Sequence, residues 1–190
     1  MGNKDLHAIY PKDDIDIDIT KKENTIEILM QRYSEKVYLL AFSFVKDRGL
    51  AEDISQEVFL KTYKYLDRFR GEAAISSWIY RITVNTSKDF LKKKNLKQML
   101  LQGRILENFN KTESTETSFL KESRNEELLQ AILSLPIKYR EVIILHYFYD
   151  VKVSELSTVL KLNNDTVKTR LSRGRDLLKR KIEDKEGEIF

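Results

Sequence analysis

The chain has 190 residues, of which 34% are charged and 41% are hydrophobic, and its formal net charge is +4. It contains no cysteine and only two histidines, so disulfides and thiolate metal sites are excluded and metal catalysis is disfavoured. Six glycines and two prolines leave little room for turn-rich β structure, and the sequence therefore predicts an all-α fold that needs no cofactor and no metal.

The apolar pattern predicts two small helical domains joined by a flexible linker. We expect an acidic, disordered arm at 1–23, a first helical block at 24–96, the linker at 97–124 and a second helical block at 125–185. Residues 13–20 alternate acidic and apolar side chains and could form a strand, but a strand without a partner is unstable. No segment has the ~20 uninterrupted apolar residues of a membrane helix, and no signal pattern is present. These features predict a cytoplasmic protein without direct membrane insertion.

The first block begins with two predicted helices. Asn24 and Glu27 are spaced as a capping box, and the apolar stripe that follows them continues to Phe44. The second helix begins near Leu50. Its outer positions lie three and four residues apart, so they are neighbours on one face. They are Asp53, Gln56, Glu57, Leu60, Lys61 and Lys64.

A third helix is predicted over residues 76–94, after a polar break at 70–72. Trp78, Ile79 and Ile82 are expected to point inward, while lysines lie elsewhere around the helix. Aromatic rings beside cations could bind single-stranded nucleic acid, because bases stack on rings while lysines follow the backbone. For Trp78 taken alone we favour the alternative, a core anchor.

The linker and the start of the second block differ sharply in composition. Residues 112–118 are polar and lack apolar periodicity, which is typical of a flexible linker. The apolar residues between 99 and 109 could form a short helix before it. In the second block, which begins near Glu126, Ser134 and Pro136 mark the start of a new helix. That helix is apolar on nearly all sides from 142 to 148, so His146 is expected to be a packed core histidine.

Residues 163–181 are predicted to form a capped and strongly basic helix. Asn163 can accept a backbone N–H of the first turn, and Asp165 suits the positive end of the helix dipole. Clustered cations suit phosphate and base-edge contacts. The cations are Lys168, Arg170, Arg173, Arg175, Lys179, Arg180 and Lys181.

The segment before this helix completes the layout of a helix-turn-helix. A short apolar helix containing Leu156, Val159 and Leu160 is followed by a polar break at 161–164. In such a unit the second helix enters the major groove of DNA. A purely structural helical hairpin is the alternative. Lys161 complicates the turn, because a left-handed backbone costs residues other than glycine about 1–2 kcal/mol.

Four motifs occur in order along the chain. The first block contains Asp-Ile-Ser-Gln-Glu-Val-Phe at 53–59 and Ser-Trp-Ile-Tyr-Arg-Ile-Thr-Val-Asn-Thr at 77–86. The second block contains Leu-Pro-Ile-Lys-Tyr-Arg-Glu-Val at 135–142 and Thr-Val-Lys-Thr-Arg-Leu-Ser-Arg-Gly-Arg at 166–175. Together they resemble the extracytoplasmic-function class of bacterial RNA polymerase sigma factors. The resemblance extends over nearly the whole chain, from about residue 25 to residue 183.

The resemblance implies two roles for the first block. It would dock on the clamp helices of the largest subunit of core RNA polymerase through Asp53, Gln56, Glu57 and Leu60. It would also open promoter DNA and capture a flipped base of the single-stranded −10 element, at a cost of a few kcal/mol that hydrogen bonds to the base edge recover. The matching positions are Arg70, Gly71, Ala73, Ala74, Asn85, Ser87 and Lys88.

The resemblance implies that the second block reads the duplex −35 element. Thr166, Lys168, Thr169, Arg170, Arg173 and Arg175 would make these contacts, and one sequence does not decide which of them touch bases. The acidic run from 107 to 127 could imitate nucleic acid in the polymerase or serve as a plain tether. Control by an anti-sigma factor, which could hold the protein at the membrane, is also implied. Asp150 stands at a position where the family usually has glycine.

Three rival interpretations remain. A helix-turn-helix regulator that acts without polymerase would explain residues 128–183 but not the first block. An enzyme is disfavoured, because no phosphate-binding glycine loop is present and the two histidines are isolated. A helical adaptor that binds only proteins conflicts with the cation density at 168–181. We therefore expect no catalytic residues. Apolar surface between the two blocks would permit a compact form of the free chain.

Overall fold

The computed structural model describes residues 21–102 and 123–187, and all regular structure in these ranges is helical, as predicted. Residues 1–20 of the acidic arm predicted at 1–23 lie outside the described residues, as does the polar run at 112–118. None of the described helices combines the length and apolar character that a bilayer crossing requires. The helices are α1 (Lys22–Val45), α2 (Arg48–Tyr65), α3 (Ile75–Gln102), α4 (Ser123–Ser134), α5 (Ile137–Ile143), α6 (Val153–Leu160) and α7 (Asn164–Gly187).

Helix α1 starts earlier than the sequence indicated. It begins at Lys22, and the preceding Lys21 makes no side-chain capping bond, so the capping box at Asn24 and Glu27 is wrong. Contacts with the end of α2 and with the 3-10 turn that follows it at Leu66–Arg68 extend α1 toward its N-terminus. The Lys22 ammonium lies 2.7 Å from a carboxylate oxygen of Asp67, and the Tyr63 hydroxyl donates to Glu23 at 3.0 Å.

Helices α1, α2 and α3 pack into a bundle whose core matches the predicted apolar stripes. Leu29, Tyr33, Val37, Leu40 and Phe44 of α1 are buried, whereas Met30 is exposed. Asp47 caps α2 by accepting the Leu50 N–H at 3.0 Å, so α2 begins at Arg48 rather than near Leu50. The bundle therefore rests on helix periodicity together with one strong cap.

Helix α3 continues to Gln102, beyond the predicted end near residue 94. No glycine or proline occurs between residues 92 and 102, and the next glycine is Gly103, so nothing in the local sequence terminates the helix. Its last turns therefore occupy residues 95–102, where a break and the start of a separate short helix were expected; residues 103–109 lie outside the described part of the chain. Trp78 packs against Phe69, with ring centroids 5.4 Å apart, which agrees with its interpretation as a core anchor.

Helices α4 to α7 form the second bundle. Pro136 occupies the cap position of α5, and α5 continues into a single π-helical turn at Ile144–Phe148. The apolar residues of this segment are not all buried, because Tyr147 and Phe148 at the end of the turn are exposed. His146 is partly buried, and its Nδ1 lies 3.0 Å from the Val151 carbonyl oxygen. The histidine therefore orders a turn.

The helix-turn-helix prediction is confirmed in its geometry. Helix α6 ends at Leu160, and Lys161 adopts the left-handed conformation with φ 55° and ψ 50°. The Leu162 N–H donates to the Ser157 carbonyl at 2.9 Å, which closes the turn. The Asn163 side chain accepts the Thr166 N–H at 2.7 Å. Asp150 also has a positive φ, of 57°, so both non-glycine departures from the family pattern are accommodated in left-handed turns.

The two bundles pack against each other, as the apolar surface between them allowed. Helix α6 lies on α3, and α5 reaches α1. The Tyr149 hydroxyl donates to the Lys36 carbonyl at 2.7 Å, and the Tyr80 and Tyr149 rings have centroids 4.9 Å apart. The buried Arg140 guanidinium donates to the carbonyl of Ser43. The described part of the chain therefore adopts a closed arrangement of the two blocks.

The Asn163 cap allows a direct test of the turn. Replacing Asn163 with alanine removes the acceptor for the Thr166 N–H, so we expect a loss of about 1 kcal/mol in the free energy of unfolding. Circular dichroism during urea denaturation measures this change. Asn164→Ala, at the adjacent exposed position, is the matched control and should change the free energy by only a few tenths of a kcal/mol. Equal losses in the two variants would contradict the capping role of Asn163.

Candidate functional site

Helix α7 divides the predicted DNA-contacting residues between two flanks of its exposed face. At 3.6 residues per turn, Thr166, Arg170 and Arg173 share one flank, and Lys168 and Arg175 lie about half a turn away. Thr169 lies near the middle of the exposed face. The opposite side of α7 is buried through Val167, Leu171 and Gly174. This geometry suits a helix in a groove, where cations can reach phosphates on both walls.

The first flank borders an open cavity of about 370 Å³ between α5 and the start of α7. The cavity combines hydroxyl groups with cationic side chains next to the N-terminus of α7, where backbone N–H groups and the helix dipole favour anions. Its lining residues are Lys138, Tyr139, Asn163, Asp165, Thr166, Thr169, Arg170 and Arg173.

Lys138 and Tyr139 belong to this site although the sequence analysis did not select them. They lie on α5, about thirty residues before the basic helix, and α5 packs against α7. Burial tends to raise the pKa of Tyr139, but hydrogen bonding to Arg173 and the charge of Lys138 outweigh it, so the pKa lies below its ordinary value. The phenol is therefore held in a cationic environment. The signal available in the sequence was the motif at 135–142, which contains both residues.

Gly174 permits the close contact that positions α7. A Cβ atom at this residue would lie 3.1 Å from Cγ1 of Ile143 and 3.5 Å from Cβ of Tyr139. The separation from Ile143 is tighter than ordinary van der Waals contact, and the separation from Tyr139 is an ordinary contact. The lack of a side chain at Gly174 therefore lets the recognition helix lie directly against α5.

The outer stripe of α2 is accessible over most of its length. Asp53, Gln56 and Leu60 are exposed, and the Leu60 side chain is 65% accessible. Glu57 is partly buried and lies 3.4 Å from the Lys61 ammonium, one turn further along α2. The stripe therefore presents polar and charged groups around one apolar side chain, a composition suited to protein docking.

The loop before α3 is also open to solvent. Arg70, Gly71, Ala73 and Ala74 are exposed. Gly71 has φ +69°, a conformation that glycine adopts at little cost, and a Cβ there would meet open space. Arg70 lies 4.0 Å from Glu72, with both side chains largely accessible, so this contact constrains the loop only weakly.

The predicted base-capture residues on α3 are not equally accessible. Asn85 is partly exposed, whereas Ser87 is fully buried at 0% and its hydroxyl has no hydrogen-bond partner among the described residues. Ser87 therefore cannot contact DNA in this arrangement, which corrects its assignment. Ser87 lies within about 20° of Tyr80 around α3. Tyr80 packs against Tyr33 of α1 and against Tyr149 of the second bundle, so a side chain that looked solvent-facing in the sequence is covered.

Lys88 and Arg170 share one buried carboxylate. Glu141 of α5 is 3% exposed, its Oε1 accepts from Nη1 of Arg170 at 2.9 Å, and its Oε2 lies 2.7 Å from Nζ of Lys88. The Lys88 contact is an ion pair without hydrogen-bond alignment. Glu141 was not selected from the sequence as a site residue, because a carboxylate beside arginine in a helix is ordinarily a surface group.

The described residues offer no alternative site built on a metal. Within 21–102 and 123–187, no group of three or more histidine, aspartate or glutamate side chains is arranged to hold a metal ion. The candidate surfaces are therefore the outer stripe of α2, the loop before α3 with Asn85, and the flanks of α7.

Two parts of the chain match families of known proteins. Residues 29–96 match Sigma-70 region 2, and residues 125–178 match Sigma-70, region 4. RNA polymerase sigma factor SigV of Bacillus subtilis is 32% identical over 163 residues, which cover 84% of this chain and 94% of that protein. The ECF RNA polymerase sigma factor SigW of the same organism is 31% identical, covering 80% of this chain and 86% of that protein.

Solved structures share the fold. The sigma factor RpoE of Bartonella quintana, in complex with the anti-sigma factor NepR, matches with TM-score 0.67 and 18% identity, over 83% of this chain and 96% of that one. CnrH in complex with the cytosolic domain of CnrY matches with TM-score 0.62 and 21% identity, over 87% of this chain and 92% of that one. At these identities the likeness concerns the fold alone.

The role of Gly174 in positioning α7 can be measured. Replacing Gly174 with leucine forces a branched side chain against Ile143, so we expect overpacking to lower the free energy of unfolding by about 1–3 kcal/mol. Ser172→Leu, at an exposed position on the same helix, is the control and should have a much smaller effect. Thermal denaturation followed by circular dichroism compares the two. A Gly174→Leu protein as stable as the wild type would show that the close contact is not required.

Proposed function

The chain belongs to the extracytoplasmic-function sigma factors, which are non-enzymatic transcription initiation factors. On this basis we propose which of its surfaces contact core RNA polymerase and which contact promoter DNA. The first block, residues 24–96, binds core RNA polymerase and the −10 element. The second block, residues 125–185, binds the −35 element, and the linker at 97–124 joins them. The observation that carries this proposal is the accessible stripe of α2 together with the two cationic flanks of α7.

Core polymerase docks on the outer stripe of α2. Leu60 is the apolar centre of this surface, and Asp53, Gln56 and Glu57 surround it with charged and polar groups. Interfaces commonly combine a small apolar centre with a polar rim. The partner surface is the pair of clamp helices of the largest polymerase subunit, as the resemblance implies. The exposure of a large apolar side chain, Leu60, on an otherwise polar helix face supports this assignment.

Single-stranded DNA of the −10 element contacts the loop of residues 70–74 and the exposed edge of α3. The loop is accessible and contains a left-handed glycine, so it can adapt around an extruded base. Asn85 supplies an amide that both donates and accepts hydrogen bonds to a base edge. Lys88 follows the DNA backbone only after its ion pair with Glu141 is broken, and Ser87 is left out of the contact set.

Duplex DNA of the −35 element lies along α7. Thr166, Arg170 and Arg173 face one wall of the groove and Lys168 and Arg175 the other, with Thr169 between them. Lys138 and Tyr139 extend the first wall from α5, where a phosphate could bind in the cavity beside the N-terminus of α7. Their proximity to Arg173 supports this addition.

Control by an anti-sigma factor completes the proposal. The structural neighbours described above were solved as complexes, one of them named as a sigma factor with its anti-sigma factor. A partner of this kind would occupy the surfaces that otherwise contact polymerase and DNA. The protein acts in the cytoplasm of a bacterium, and it would be held at the membrane only where its anti-sigma factor is itself anchored there.

Co-purification with bacterial core RNA polymerase tests the docking surface. We expect the Gln56→Ala, Glu57→Ala double variant to bind core at least about tenfold more weakly than the wild type, because two polar contacts beside Leu60 are lost. Gln31→Ala, Glu35→Ala removes the same residue types from exposed positions of α1 and should bind normally. A wild-type chain that is folded, free of inhibitor and unable to bind core would instead favour a DNA-binding regulator that acts without polymerase.

Arg173→Ala tests the assignment of α7. Holoenzyme carrying this variant should bind promoter duplexes, selected in vitro with the wild type, more weakly by about 1–3 kcal/mol if Arg173 contacts a base. A phosphate contact would instead weaken binding to all sequences and lower the salt dependence. Arg68→Ala removes the same charge from the first block and is the control. Unchanged promoter affinity for Arg173→Ala, measured by filter binding at two salt concentrations, would overturn the assignment.

A further inference from the structure

The ion pairs of Glu141 connect cations from two different parts of the molecule. Arg170 belongs to α7 in the second block, as does Glu141 on α5, whereas Lys88 lies on α3 in the first block. The carboxylate is 3% exposed, so it needs both cations as partners. One side of Glu141 is therefore satisfied within its own block, and the other side is satisfied only while the two blocks are in contact.

Polar contacts accompany the apolar packing between the blocks, whose buried apolar residues belong to one continuous cluster. Arg140, the neighbour of Glu141, donates to the Ser43 carbonyl, and the Tyr149 hydroxyl donates to the Lys36 carbonyl at 2.7 Å. The Ser77 hydroxyl donates to Glu155 at 3.0 Å. Water can replace such bonds when the blocks separate, and interfaces of this kind are typical of domains that move relative to each other.

We propose that Glu141 is a positioning residue shared by both promoter-contacting surfaces, and that its pair with Lys88 latches the two blocks in a closed state. The pair with Arg170 orients that guanidinium beside the cavity of α7 in the closed and open states alike. The pair with Lys88 exists only in the closed state, in which Ser87 is also covered. Opening therefore frees Lys88, which the proposed function assigns to −10 DNA only after this ion pair is broken, and the inference rests on that function only in this last step.

Neither of two other lysines near Lys88 is placed to take over its ion pair with Glu141. Lys61, which donates to Thr86 of α3, has Glu57 as its ion-pair partner, and Lys92, one turn beyond Lys88 on α3, is exposed. Loss of Lys88 leaves Glu141 with Arg170 as its remaining cationic partner, and that pair lies within one block. The closed state then loses an ion pair while the second bundle keeps its own.

Distance measurements on the full chain test the latch without polymerase or DNA. Because the chain lacks cysteine, Gln31→Cys on α1 and Thr158→Cys on α6 can be spin-labelled at exposed sites of the two blocks, and double electron–electron resonance gives their distance distribution. We expect Lys88→Ala and Glu141→Gln to raise the ratio of open to closed chains by roughly 5- to 10-fold. Lys88→Arg, which keeps the charge, should remain closed.

Two further variants separate the latch from general loss of stability. Lys92→Ala removes a lysine from the same helix and should leave the distances unchanged. Arg170→Ala breaks the pair within the second block and should also leave the chain closed. If circular dichroism shows that Glu141→Gln is not properly folded, the distances for Lys88→Ala alone test the latch. Distances for Lys88→Ala identical to those for Lys92→Ala would overturn the proposal. If instead the distances change as expected but the wild-type chain does not bind core polymerase, the proposed function is rejected and the latch stands.

Discussion

Helix α3 is packed on two sides, and the arrangement of the whole molecule depends on this constraint. One side completes the first bundle through Ile79 and neighbouring apolar residues, while the other side meets α6 of the second bundle. The two sides differ chemically. The second side offers Ser77, Tyr80 and Lys88, which contact Glu155, Tyr149 and Glu141. An apolar side holds the first bundle permanently, whereas a mixed polar side allows the second bundle to be released.

Periodicity in the sequence predicted the helices well where the local pattern determines the outcome. The apolar stripes of α1 and α2, the short helix α6 and the Asn163 cap of α7 all depend on residues close in sequence. The early start of α1 could not be predicted in this way, because its first turn is stabilised by Tyr63 and Asp67, which are distant in sequence. The length of α3 was missed for the opposite reason, since a change in composition was interpreted as a helix end.

The candidate site was predicted less completely than the fold. A sequence pattern indicates which face of a helix is polar but not which partner will cover that face. Ser87 therefore looked accessible although α3 is covered there, and Glu141 looked like a surface carboxylate although it is buried between two cations. Lys138 and Tyr139 were missed because they reach the basic helix only through the packing of α5 on α7, which Gly174 makes close.

The shared carboxylate also distinguishes two arginines that look equivalent in the sequence. A guanidinium has five N–H donors. Arg170 donates to Glu141 through Nη1, so the other donors of Arg170 remain available for a ligand. Pairing at a buried carboxylate reduces the conformational freedom that Arg170 would lose on binding DNA. Arg173 is exposed, and its neighbour is the Tyr139 phenol rather than a carboxylate. Arg170 is thus better preorganised for a directional contact with a base edge, and Arg173 is better suited to the less directional attraction of a phosphate.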